Sequence, residues 1–130
     1  MQSTTLCDYQ VLRDTPFTLD AESSPASERT FHFTMPPDLE LGDGLRQPIL
    51  SFAANVQKAA SFRIFLNARE IITFNMGKAK TRSMLEPFNA QTAFPEGSSA
   101  PAQVPLRILM QRGKIGFQNL ILFYQIRRDG

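Results

Sequence analysis

Tryptophan is absent from this 130-residue chain, and cysteine and histidine occur once each, as Cys7 and His32. A lone cysteine excludes an internal disulfide, and one cysteine with one histidine cannot make a structural zinc site. With a single histidine there is no reason to pair it with one serine over another, so no Ser-His-Asp arrangement can be nominated. No run approaches the roughly 18 apolar residues of a membrane helix. The opening residues, MQSTTLCDYQ, lack the basic start and apolar stretch of a signal peptide. The expectation is a soluble, cytoplasmic protein. Helix-forming windows are scarce too, because nine prolines recur along the chain, each fixing φ and removing a backbone donor.

What is present is an ordinary globular composition, 42% apolar and 20% charged, with 11 phenylalanines to build a core. The length suits one domain, residues 1–130, with residues 1–28 expected to be its loosest part. Charge is unevenly spread. Residues 1–45 hold eight acids against two bases, a net −6, and residues 46–130 hold twelve bases against four acids, a net +8. Such polarity fits opposite charged faces or an acidic segment laid over a basic sheet.

Between the prolines, apolar residues alternate with polar ones at the strand period of two. Tyr9–Arg13 reads as a first strand, with Phe17–Leu19 extending it. Phe31, Phe33 and Met35 point one way along Arg29–Met35, and Thr30, His32 and Thr34 point the other. Leu50, Phe52, Ala54 and Val56 share a face, although the alanines also allow a helix over Phe52–Ala60. Phe62–Asn67 and Ile71–Met76 form a hairpin around Asn67-Ala68-Arg69-Glu70. Leu106, Ile108 and Met110 precede Gln111-Arg112-Gly113-Lys114, which reads as a hairpin turn with Gly113 supplying a positive φ. Leu120, Leu122, Tyr124 and Ile126 share a face in the last strand. Ile121 and Phe123 make its other face apolar as well, so either the N-terminal segment or another subunit covers it. The pattern predicts an all-β domain, an antiparallel two-sheet β-sandwich of the jelly-roll kind with about eight strands.

Two stretches, SFRIFLNAREIITF (61–74) and VPLRILMQRGKIGFQNLILFYQI (104–126), carry a resemblance. The first is similar to a strand–turn–strand with an "LNG"-like turn, and the second to a closing pattern of apolar strand, Gly turn and last strand. With the Pro-rich loop before the second, residues 50–127 resemble the galactose-binding-like β-sandwich of many carbohydrate-binding modules. The resemblance implies a lectin-like carbohydrate ligand. The aromatic platform that sugar-binding members stack on a pyranose has no tryptophan here, and both tyrosines lie in strands.

Among candidate sites, the basic stretch stands out. Lys78, Lys80 and Arg82 alternate, so an extended segment turns all three one way. They could grip a phosphate, sulfate or acidic glycan through charge-assisted hydrogen bonds. Asn67 and Arg69 of the neighbouring turn complete the nominated ligand-binding set. His32 is expected on a solvated strand face, the acids in solvated loops, and Cys7 near a loose terminus. No catalytic residues, metal ligands or cofactor are implied, and no nucleic-acid motif accompanies the lysines. The expectation is a non-catalytic carbohydrate-binding module. The alternative is a self-assembling subunit that forms homo-oligomers through its sheet faces.

Overall fold

In the computed structural model, which describes residues 3–23, 27–34, 48–77, 82–89, 92 and 103–129, the alternating segments form seven strands. These are β1 (Ser3–Arg13), β2 (Phe17–Asp20), β3 (Glu28–Thr34), β4 (Ile49–Leu66), β5 (Arg69–Met76), β6 (Arg82–Pro87) and β7 (Gln103–Asp129). β4 and β7, 18 and 27 residues long, pair antiparallel from Ile49↔Phe123 to Leu66↔Leu106. Along its other edge β7 carries β1, β2 and β3. Along its own other edge β4 carries β6 and β5.

This single ladder is folded over on itself. Val104 lies beside Phe33 in the ladder, and Tyr124 stands twenty residues further along β7. In a straight strand they would be roughly 65 Å apart, at about 3.3 Å per residue. The rings of Phe33 and Tyr124 nevertheless lie 5.4 Å apart. Phe52 and Phe62, ten residues apart on β4, have ring centroids 6.4 Å apart. Both long strands therefore double back, and one sheet becomes a two-layer antiparallel β-sandwich. The first layer holds β1, the end of β7, the start of β4, and β6. The second holds β3, the start of β7, the end of β4, and β5.

The crease lies where the β4–β7 register shifts repeatedly, between Val56 and Phe62. Extra residues in a ladder bend it and increase its twist. Gln57, Lys58 and Ala59 are consecutively exposed there, because the strand is turning around its own outside. Gly113, at φ +82°, sits on the inside of the turn. A Cβ at Gly113 would lie 2.1 Å from the Ala59 carbonyl oxygen, so no side chain fits. The hydrogen bonds Ala21 N–H to Gly113 O (3.0 Å) and Met110 N–H to Ser27 O (2.8 Å) hold the β2–β3 connection against the same bend.

Inside the fold, every fully buried described side chain is apolar. Phe117 stacks on Phe17 at 5.2 Å and meets Phe52 and Phe62 edge-on at 5.6 and 5.4 Å. Such ring pairs add about 0.5–1.5 kcal/mol each beyond the area they bury. At the open edge the Gln10 side chain acts as a piece of strand. Its amide NH2 donates to the Thr34 carbonyl oxygen and its carbonyl accepts from Thr34 N–H (2.9 Å), tying β1 to β3.

The all-β sandwich expected from the sequence is what forms, but the chain path differs in places. Gln111–Lys114 is not a hairpin turn. Gly113 uses its positive φ to bend one continuous strand, so the two expected closing strands are the two halves of β7. Phe52–Ala60 is strand, not helix, because β7 pairs along it and β6 adds pairing on the other edge as far as Ala54. Arg82–Pro87, not anticipated, forms an edge strand. The Asn67-Ala68 turn closes the β4–β5 hairpin with both residues at positive φ (56° and 62°), the geometry of a type I′ turn.

Two stability changes follow from these backbone angles. Gly113→Ala should cost at least about 2 kcal/mol, combining the positive-φ penalty with the clash at Ala59. Ala68→Gly should stabilise by about 1 kcal/mol, since the turn keeps its shape and loses its strain. Chemical denaturation of the two variants measures both, and a neutral Gly113→Ala would contradict the described crease.

Candidate functional site

The outward side of the crease carries a groove of about 240 Å³. Its middle row crosses three strands, Thr18 on β2, Gly116 on β7 and Asn55 on β4, paired directly in the ladder. Ala53 and Gln118 form the next row, and Pro16 and Gln57 complete the rim. Gly116 leaves the floor open. Three polar atoms, the backbone carbonyl oxygen of Asn55 and the side-chain Gln57 Nε2 and Thr18 Oγ1, each stand 3.8 Å from the place a Cβ would occupy.

Strand alternation explains the chemistry of this surface. Phe17, Ala54 and Phe117 of the same strands point into the core, which turns Thr18, Asn55 and Gly116 outward. Hydroxyl and amide groups thus share the groove lining with Pro16, Phe17, Ala53, Ala54 and Phe117, and no titratable side chain is among the lining residues. Amides donate and accept at once, and a hydroxyl can do either. The volume falls below the roughly 300–1,000 Å³ of pockets that enclose a drug-sized ligand, so it suits one small polar ring or the end of a chain.

The residues nominated from sequence are not gathered in this groove. Asn67 and Arg69 lie at the β4–β5 turn, at the far end of the second layer, where Arg69 pairs with Leu66. Arg82 lies in the first layer beside Ala54, twelve ladder positions from Leu66 along β4 and one strand over from the groove wall. Lys78 and Lys80 lie outside the described residues. Among the other described bases, Arg13 and Arg29 both lie over the Phe17 ring, at 5.7 and 5.6 Å, while two others are paired with acids. Arg107 pairs with Glu28 at 2.6 Å and covers the Phe65 ring at 5.6 Å, and Arg63 pairs with Glu70 at 3.4 Å. Both ion pairs are close to half-exposed, a setting in which such pairs contribute at most about 1 kcal/mol. The Arg107–Glu28 pair does join the basic part of the chain to the acidic first third.

His32 is exposed on β3, opposite Pro105 in the ladder. Asp8 and Asp20 accept hydrogen bonds from nearby backbone N–H groups. Cys7 is exposed on β1. Among the described residues no group of three or more His, Cys, Asp or Glu side chains could hold a metal ion, and no helix is long and apolar enough to cross a membrane. Sequence reasoning missed the groove. The available signal was Gly116, a glycine inside an apolar strand, which often marks a close approach or a ligand.

The chain matches no protein-family model and no curated protein. Among solved structures it is similar to the dimeric latent PorU of Porphyromonas gingivalis, with a TM-score of 0.51 and 15% identity over 95% of this chain. The chain spans 13% of the PorU chain, and the likeness is one of fold. Two carbohydrate-binding modules are also similar. One is CBM36, solved with calcium and xylotriose (TM-score 0.46, 6% identity, covering 94% of this chain and 98% of that one). The other is TmCBM61, solved with β-1,4-galactotriose (TM-score 0.38, 12% identity, 97% and 88%).

Filling the groove floor should not harm the fold. Gly116→Ala is expected to raise stability by about 0.5–1 kcal/mol, since the new methyl finds only ordinary contacts and a strand-interior glycine is lost. A thermal melt measures this, and a lowered midpoint would show that the space over Gly116 is not open.

Proposed function

We propose that this domain is a non-catalytic carbohydrate-binding module whose principal contact is the groove over Gly116. The observation that carries the reading is the convergence of uncharged hydrogen-bonding groups from Thr18, Asn55 and Gln57 on an open glycine floor. A neutral sugar presents hydroxyls that both donate and accept, and amide and hydroxyl side chains answer both. Because Phe17 and Phe117 turn inward, recognition rests on hydrogen bonds and shape, with little stacking. The resemblance of residues 50–127 to galactose-binding-like modules supports the same ligand class. An acidic sugar would be held instead by a separate charged contact made of Arg82, Lys78 and Lys80. Asn67 and Arg69 would make a separate contact at the far turn.

Binding to a neutral glycan array, followed by calorimetry on the best ligand at two salt concentrations, tests the assignment. Affinity should be nearly independent of salt, because no charged group lines the groove. Gly116→Val should weaken binding at least about tenfold while the protein stays folded. Thr18→Ala and Gln57→Ala should each cost about 3- to 10-fold, the worth of one hydrogen bond. Arg82→Ala should leave neutral ligands unaffected. Saccharide binding that survives Gly116→Val would remove the groove from the account, and an array with no hits would remove carbohydrate.

A further inference from the structure

Two arginines from opposite layers meet at the open edge of the sandwich. Residues paired in an antiparallel ladder point to the same face. Arg13 on β1 pairs with Leu120, and Arg29 on β3 pairs with Ile108; both partners are fully buried. Both arginines therefore turn toward the space between the layers, with Arg13 half-buried and Arg29 exposed. They converge on the Phe17 ring of β2, with Cζ 5.7 and 5.6 Å from its centroid. Arg29 also lies 5.8 Å from the Phe31 ring. Phe117 stacks on Phe17 at 5.2 Å with the ring planes 18° apart, so one ring face is taken and the guanidiniums crowd what is left. They stand at most about 11 Å apart, the two ring distances added together.

No acid answers this pair. Among the described residues neither arginine makes an ion pair. Glu28, next to Arg29, is held by Arg107, and Asp14 follows Arg13 without pairing with it. Asp8 also points inward from β1, opposite Tyr124, but it lies beyond the Gln10–Thr34 tie. Arg13 Nε donates to the Thr15 carbonyl oxygen at 3.3 Å, which fixes the side chain and leaves its terminal NH2 groups for another acceptor. The ring attracts each guanidinium, but it does not neutralise two like charges held side by side.

We propose that Arg13 and Arg29 together bind an oxyanion, a sulfate, phosphate or carboxylate group, between the two layers. A guanidinium fork matches such a group with two parallel hydrogen bonds. An anion accepting from both forks would set their carbons roughly 8 Å apart, within the limit the ring imposes. The ligand would tie β1 to β3 a second time, beside Gln10. The site is independent of the groove: a chain that binds no neutral sugar can still hold an oxyanion here.

Nuclear magnetic resonance of the labelled full chain, titrated with sodium sulfate against sodium chloride at constant ionic strength, reads the site directly. The Arg13 and Arg29 Nε–H signals should shift together along one saturable curve in the millimolar range. Arg13→Gln and Arg29→Gln should each weaken binding at least tenfold with the backbone amide spectrum otherwise kept. Arg29→Lys, which keeps the charge and loses the fork, should weaken it several-fold. Arg112→Gln, the same charge change at an exposed position on the crease, should leave it unaltered. Parallel titrations with galactose 6-sulfate and methyl glucuronide identify the source of the group. Tighter saturation by either sugar would support an oxyanion carried on a saccharide, and equal saturation by sulfate would support the free ion. Shifts that grow without saturating for all three compounds would overturn the proposal. So would saturable binding that survives both glutamine substitutions.

Discussion

The close approach of Gly113 to the Ala59 carbonyl is the constraint on which the rest of this structure depends. Two strands of 18 and 27 residues could have formed one long, twisted sheet with both faces wet. At the crease a backbone oxygen occupies the space a Cβ would need, and only glycine at positive φ lets the strands bend that tightly. The bend brings Phe33 to Tyr124 and Phe52 to Phe62 and so closes the phenylalanine core. Gln10 then ties the open edge through Thr34.

Because both layers are halves of the same two strands, the outside is set by the same bend. Among the residues that turn away from the core at the crease, Thr18, Asn55, Gln57 and Gly116 are short or amide-bearing, and they leave a polar hollow. Further along β7 the outward positions become Ile121 and Phe123, and the hollow gives way to an apolar plain. One layer thus offers a hydrogen-bonding site and a dry face side by side, while the other wears ion pairs.

Much of the fold was legible in the residues. Alternation marked the inward positions of β3, β4 and β7, and Asn67-Ala68-Arg69-Glu70 marked a hairpin whose turn proves to be Asn67-Ala68 alone, with Arg69 and Glu70 in β5. What sequence misjudged was the role of Gly113. A polar tetrad with a central glycine looks the same whether it reverses a chain or bends a strand, and the choice is made by long-range pairing with β4. Asn119, also at positive φ, is a second such irregularity, and there the apolar parity shifts without ending the strand. The candidate groove escaped notice for a related reason. It takes one or two residues from each of three strands, and no short motif records that. The basic alternation around Lys78–Arg82 was conspicuous because it is contiguous, not because the fold gathers it with Asn67 and Arg69.

The central claim, that one continuous strand doubles back to make both layers, has a direct physical readout. With Cys7→Ser as background, nitroxides at Gln103 and Gln125 place one label on the outer face of each layer. Pulsed electron resonance should return a distance of roughly 20–30 Å, the thickness of two layers about 10 Å apart plus the labels. A distance near the roughly 70 Å of a straight strand of that length would contradict the fold-over, and with it the crease, the groove and the apolar face.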